Sequence, residues 1–159
     1  MVAKNEGKMF EEDFIKSVPE NLFHYRLRDL PFHLTRNAKY EVNNNIGDFF
    51  IMNDNLFILE LKSTALSSYP FSNSRENQIK GLAKASTKDG VICGFVINMR
   101  KFEETYFLYI DDYIDLLENS GRKSISIDDL RLRGIRIYQI KKRVRFKYDL
   151  EDFFRKILK

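Results

Sequence analysis

The stretch Leu56-Phe57-Ile58-Leu59-Glu60-Leu61-Lys62 opens with four apolar residues and closes with an acid and a base two positions apart. A short continuous apolar run predicts a strand buried on both faces of a sheet. Side chains alternate along a strand, so Glu60 and Lys62 share one face and Leu61 takes the other. A carboxylate and an ammonium at the end of a buried strand are costly to desolvate unless something compensates them. Twelve residues before Glu60 stands Asp48, in Ile46-Gly47-Asp48-Phe49-Phe50. A divalent cation held by Asp48 and Glu60, with Lys62 beside it, compensates both charges and suits phosphodiester cleavage.

Outward from this stretch the chain alternates helical and strand patterns. Gly7 to Val18 predicts a helix with an apolar stripe of Phe10, Phe14, Ile15 and Val18, ended by Pro19. Glu12, Asp13 and Lys16 fall on its opposite face, whereas Glu11 lies inside the stripe. Asn21 to Asp29 alternates as a first strand. Residues 30–46 form a long polar connection carrying Arg36 and Lys39, and a connection of that length inside a domain is usually functional. Strands follow at about 47–52 and 55–63, joined by the turn Asn53-Asp54-Asn55. Ser72 or Asn73 caps a helix running to about Ser86, buried through Ile79, Leu82 and Ala83. Val91 to Met99 and Glu104 to Ile110 read as a buried hairpin. Helices over Asp111–Glu118, closed by Gly121, and Ile125–Leu132 come next. A basic ribbon over Ile135–Tyr148 and a terminal amphipathic helix over Leu150–Leu158 complete the order. This pattern predicts an α/β layer, a mixed central β-sheet flanked by helices.

The length of 159 residues suits a single domain over 1–159. Apolar residues make up 43% and charged residues 31%, which excludes a disordered chain. No apolar run approaches a membrane span, and no signal-type segment is expected at the N-terminus. Cys93 is the single cysteine, so an intrachain disulfide is excluded and a reducing cytoplasm fits. The net charge of +4 is unevenly spread. The segment 122–148 carries Arg122, Lys123, Arg131, Arg133, Arg136, Lys141, Lys142, Arg143, Arg145 and Lys147 against Asp128 and Asp129 alone. Such a stripe is either a solvated surface or a phosphate track, and a neighbouring phosphodiesterase site favours the track.

Cleavage of this kind needs converging carboxylates for Mg²⁺ or Mn²⁺, an activated water and positive charge near the scissile phosphate. Asp48 and Glu60 meet on paired strands, and Lys62 projects from the same face. Glu11 can descend from the first helix, which accounts for an acid inside its apolar stripe. Gln78, on the margin of the second helix's buried face, is placed to reach water or phosphate. Each has an ordinary alternative: a turn Asp, a solvated Glu–Lys pair worth little, a Glu at the edge of a stripe, a surface amide. Their joint occurrence, in an order that gathers them over one sheet, favours a site. His24 and His33 have no partners at metal-ligand spacing, and Cys93 reads as a core residue. Tyr106, Phe107 and Tyr109 fit a buried hairpin better than a base-stacking platform.

Asp48 followed by Glu60-Leu61-Lys62 resembles the PD-(D/E)XK nuclease superfamily. Gly7-Lys8-Met9-Phe10-Glu11, Gly47-Asp48-Phe49, Glu60-Leu61-Lys62-Ser63-Thr64, Pro70-Phe71 and Gln78-Ile79 follow the order seen in RecU-type Holliday junction resolvases. The resemblance covers Gly7 to Tyr109. Gly47 stands where the superfamily motif has Pro, and the compact chain is most similar to the small viral versions. The resemblance implies a restriction-endonuclease-like fold and an Mg²⁺- (or Mn²⁺-) dependent endonuclease that resolves four-way DNA junctions as a homodimer. It implies metal binding by Asp48, Glu60 and Glu11, catalytic assistance from Lys62 and completion of the site by Gln78. Residues 30–46 occupy the place of the family's projecting stalk. Arg36, Lys39, Arg26, Arg28, Lys141, Lys142, Arg143 and Arg145 are the expected DNA contacts, although a plain surface role suits Arg26 and Arg28 equally. The implied location is the cytoplasm, that of a bacterial host if the chain is viral. Two rivals stand beside this expectation: a restriction- or repair-type endonuclease of the same chemistry, and a DNA-binding module that has lost catalysis.

Overall fold

The computed structural model describes residues 5–28 and 45–157. Arg36, Lys39, His33 and nearly all of the expected stalk lie outside the described residues. Among the described residues the order is α1 (Glu6–Lys16), β1 (Phe23–Arg26), β2 (Phe49–Asn53), β3 (Asn55–Thr64) and β4 (Ser68–Pro70). Then come α2 (Glu76–Ser86), β5 (Val91–Met99), β6 (Glu104–Tyr109), α3 (Ile110–Asn119) and β7 (Ser124–Ser126). The chain closes with α4 (Ile127–Arg133), β8 (Ile135–Ile137), β9 (Gln139–Lys142), β10 (Arg145–Tyr148) and α5 (Leu150–Ile157).

Six strands form the central sheet in the order β1-β2-β3-β5-β6-β8. Strands β3 and β5 are parallel, with Leu56 opposite Val91 and Lys62 opposite Ile97. All other neighbours are antiparallel. A parallel pair needs a crossover, and the segment from β4 through α2 provides it. The sheet is mixed, as the sequence pattern requires. Strand β3 lies inside the sheet, and Phe57, Ile58, Leu59, Glu60 and Leu61 are all buried.

Each face of the sheet carries its own core. On one, Ile58, Phe95, Ile97 and Leu108 pack with Leu82 of α2, Tyr113 and Leu116 of α3, and Leu130 of α4. The Phe95 and Tyr113 rings stack there at 4.1 Å. On the other, Phe49, Phe57, Leu59 and Phe107 pack with Phe10 and Phe14 of α1 and with Phe153 and Phe154 of α5. Burial of such side chains is worth about 1.5–3 kcal/mol each before the cost of ordering them. At Gly94, in β5, a Cβ would lie 2.3 Å from the carbonyl oxygen of Leu108, so the hairpin closes only on glycine.

Several sequence expectations need correction. Strand β1 is shorter than Asn21–Asp29, and all four of its residues are exposed, so its alternation does not mark core positions. Ser72 and Asn73 do not cap α2. Phe71–Asn73 forms a 3-10 turn, pinned by buried Phe71 whose N–H donates to the Lys123 carbonyl at 3.1 Å, and the helix starts three residues later. The expected helix over Ile125–Leu132 is split. Ser124–Ser126 pairs with β4, and Ser126 then caps α4 through a reciprocal box with Asp129. The basic ribbon is divided too: Ile135–Ile137 joins the main sheet, and only β9 and β10 form a separate hairpin.

Asp13, expected on the solvent side of α1, is buried at 6% exposure. Its carboxylate accepts from Arg145 Nε at 2.6 Å and from the Phe146 N–H at 3.0 Å, tying the hairpin to α1. Helical periodicity alone cannot anticipate a partner more than a hundred residues away. Gly94→Ala is expected to cost about 3 kcal/mol or to prevent folding, whereas Gly121→Ala, at φ +69° with no neighbour within 4 Å, should cost only about 1 kcal/mol. Urea denaturation of the two variants measures the difference.

Candidate active site

Strand pairing fixes the site before any side chain is considered. Phe49 lies opposite Leu59, and continuing that register by one residue sets Asp48 opposite Glu60. The Asp48 N–H donates to the Leu59 carbonyl at 2.8 Å, its carbonyl accepts from the Leu27 N–H at 2.8 Å, and its Oδ2 accepts from the Leu61 N–H at 2.7 Å. Asp48 is therefore held from both neighbouring strands. Gly47 permits this approach: a Cβ there would lie 3.0 Å from the Leu59 oxygen and 3.1 Å from Ile58 Cγ2. Glycine at this position thus lets the chain press against β3.

Glu60 is the centre of the arrangement. Its side chain is only 3% exposed, while Lys62 on the same face is 20% exposed. Lys62 Nζ lies 2.7 Å from Glu60 Oε1, and Gln78 Nε2 donates to the same oxygen at 2.8 Å. Gln78 is buried rather than marginal, placed over β3 by α2. Tyr69 is buried, with its hydroxyl 2.8 Å from Ser74 Oγ. Burial and the field of Glu60 both act against ionisation of Tyr69, which raises its pKa. Tyr69 went unrecognised in the sequence, because nothing in its spacing shows that it comes within the field of Glu60.

Burial pushes the Glu60 carboxyl up to about 7, and the facing Asp48 carboxylate adds to the rise. Lys62 and Gln78 oppose it without cancelling it. Two oxygens remain buried and unpartnered, Glu60 Oε2 and Gln78 Oε1, and they belong to side chains that touch. An ionised carboxylate oxygen and an amide oxygen can only accept, so proton donors or a hard cation are what they lack. With a second carboxylate at Asp48, this donor set fits a divalent ion that prefers oxygen. It does not extend to three acids: among the described residues no group of three or more His, Cys, Asp or Glu is gathered closely enough to hold a metal.

Glu11 is engaged elsewhere. Its carboxylate pairs with Arg26, whose guanidinium lies 5.9 Å from the centre of the Phe49 ring, on the face covered by α1. The pair still borders the site, because the next residue, Leu27, donates to the Asp48 carbonyl. Arg28 is exposed.

The basic segment is less available than its composition suggests. Arg122 pairs with Asp129, Arg131 with Glu104, Arg133 with Asp115, Lys141 with Glu103, and Arg145 with Asp13 and Glu12. Acids outside the stripe meet four of its ten cations, and Asp129 within it meets a fifth. Lys123, Lys142, Arg143 and Lys147 are exposed and make no ion pair among the described residues. Lys142 and Arg143 thus stand out on the hairpin, whereas Arg145 joins the hairpin to α1.

Residues 23–151 match the family model described as Recombination protein U, RecU. The chain belongs to the RecU family. It is also 31% identical, over 176 aligned positions covering the whole chain and 90% of the relative, to the SPbeta prophage-derived uncharacterized protein YotM of Bacillus subtilis. Among solved structures it is similar to Hjc, a Holliday junction resolvase from the archaeal hyperthermophile Archaeoglobus fulgidus, with a TM-score of 0.54. That match covers 81% of this chain and 93% of the other at 10% identity, and it speaks for the fold. The mixed sheet with flanking helices is restriction-endonuclease-like, as the resemblance implies.

The raised Glu60 pKa makes metal-free stability depend on pH. The folded state holds the proton more tightly than the unfolded chain, so the contribution is complete below about 4.5 and is lost as pH rises through about 7. Its size is on the order of 3 kcal/mol. In chelator, the thermal midpoint is expected to fall between pH 5 and pH 8 (roughly the window of that shift), and Glu60→Gln should flatten the curve.

Proposed function

We propose that this RecU-family chain is a divalent-metal-dependent endonuclease that resolves four-way DNA junctions. The observation that carries the proposal is the meeting of Asp48 and Glu60 on paired strands with Lys62 bonded to Glu60. Family membership and fold support a nuclease, and the solved resolvase of the same fold supports a junction as substrate.

Asp48, Glu60 and the Gln78 side-chain oxygen would hold Mg²⁺ or Mn²⁺. When bound, that ion supplies Lewis-acid charge at the scissile phosphate. The protein's own groups do the rest. Lys62 keeps a positive charge within 2.7 Å of the Glu60 carboxylate, where it orients the attacking water and offsets charge building on the phosphate. Gln78 fixes the Glu60 rotamer through its amide, so the carboxylate waits in one position. Glu11 acts at the margin, steadying Arg26 beside the segment that anchors Asp48. Arg26, Arg28, Lys142 and Arg143, with Arg36 and Lys39 of the stalk segment, meet the DNA arms. Lys141 and Arg145 contribute beside them while paired to acids.

Two coordinated cuts on a two-fold substrate favour two sites related by a two-fold axis, so the active form is a homodimer. No described helix is long and apolar enough to cross a membrane. A junction-cutting enzyme works where recombining DNA is found, in the cytoplasm of a bacterial cell.

Lys62→Ala is expected to bind a synthetic four-way junction normally and to cut it at least about 100-fold more slowly. Asp48→Asn should bind and not cut, and chelator should abolish wild-type cleavage. A gel assay comparing the junction with a linear duplex of the same arms tests the substrate. Equal rates on the two would remove the junction assignment, and normal cutting by Lys62→Ala would remove the assigned role of that lysine.

A further inference from the structure

Beyond the cleavage site, a cleft of about 460 Å³ opens where β5 ends, between the 3-10 turn at Arg100–Phe102 and the β9–β10 hairpin. Asn98, Arg100, Glu103, Gln139, Lys141 and Arg143 line it. Beneath it runs a chain of polar groups, of which Asn98 and Thr105 are buried and Ser63 and Gln139 half-buried. Ser63 Oγ donates to Asn98 Oδ1 at 3.1 Å, Asn98 Nδ2 to Thr105 Oγ1 at 2.9 Å, and Thr105 Oγ1 to Gln139 Oε1 at 2.6 Å. These bonds fix Asn98 and Gln139 without using every donor of their amide groups.

The charges at the cleft favour an anion. Arg100, Lys141 and Arg143 face it against Glu103, which pairs with Lys141 at 2.8 Å. Glu6 of α1 approaches Arg100 only at 3.8 Å. Arg100 Nε is buried and has no hydrogen-bond partner, an unusual state for a donor that carries charge. Arg143 sits at the hairpin tip with φ +54°, a left-handed turn conformation that holds its exposed side chain above the opening.

We propose that this cleft is a second phosphate subsite, which grips the backbone of a DNA arm on the α1 side of the sheet, with Arg100 as its principal donor. The proposal rests on the nuclease reading and deepens it. Strand alternation sets the face: Ser63 and Asn98 are register partners one residue beyond Lys62 and Ile97, so the cleft floor lies on the α1 side of the sheet, opposite Glu60 and Lys62. The hairpin, only partly neutralised by Glu12, Asp13 and Glu103, thereby gains a defined contact rather than a diffuse one.

The test is fluorescence anisotropy of a labelled four-way junction across a salt series in chelator, so that binding is read apart from cleavage. Arg100→Gln and Arg143→Gln are compared with wild type and with Lys88→Gln. Lys88 is an exposed cation in the turn before β5, at the opposite end of that strand. Arg100→Gln should weaken binding about tenfold and lower the slope of log K against log salt by about 0.9, the loss of one phosphate contact. Arg143→Gln should act in the same direction, and it reads the subsite independently if Arg100→Gln does not fold. Slopes for both cleft variants equal to that of Lys88→Gln would overturn the subsite while leaving the nuclease intact. A wild-type protein that neither binds nor cuts junctions would overturn both.

Discussion

The structure turns on one constraint: Glu60 sits buried in the sheet, opposite another carboxylate. Burial and Asp48 both oppose its charge, and Lys62 and Gln78 restore only part of what is lost. An uncompensated buried carboxylate costs several kcal/mol. The surrounding structure is arranged to tolerate that cost. The β2–β3 pairing sets Asp48 in place, the crossover through α2 brings Gln78 down on Glu60, and Gly47 lets the chain close against β3. Aromatic layers on both faces supply the stability that such a site draws on.

The parts of the fold that local pattern controls were legible in the sequence. The unbroken apolar run before Glu60 marked β3 as internal, and alternation put Glu60 and Lys62 on one side. The order of helix and strand patterns led to the mixed sheet. The misreadings have a common cause. Strand β1 alternates but covers no core, Asp13 looks solvent-facing but binds Arg145, and Ser124–Ser126 joins a strand because Tyr69 and Phe71 are pinned beside it. In each case a partner distant in sequence decided the outcome.

Charge shows the same division. Ten cations against two acids between 122 and 148 suggested an open phosphate track. Folding brings Glu12, Asp13, Glu103, Glu104 and Asp115 to meet four of them. The basic character that remains is concentrated on the hairpin and around Arg100, and composition could not single out either place. At the site, sequence order named Asp48, Glu60, Lys62 and Gln78, and the geometry brings these four together. Glu11 belongs to the neighbouring ion pair with Arg26, because α1 lies across the opposite face.

The central claim is that the orphaned oxygens of Glu60 and Gln78, together with Asp48, form a seat for a divalent ion. Crystals soaked in Mn²⁺ and measured at the manganese absorption edge test it most directly. The account predicts one anomalous peak per chain, bounded by Asp48, Glu60 and the Gln78 amide oxygen, and its loss in Glu60→Gln. A protein that cuts junctions while its Mn²⁺ binds away from Asp48 and Glu60 would contradict it.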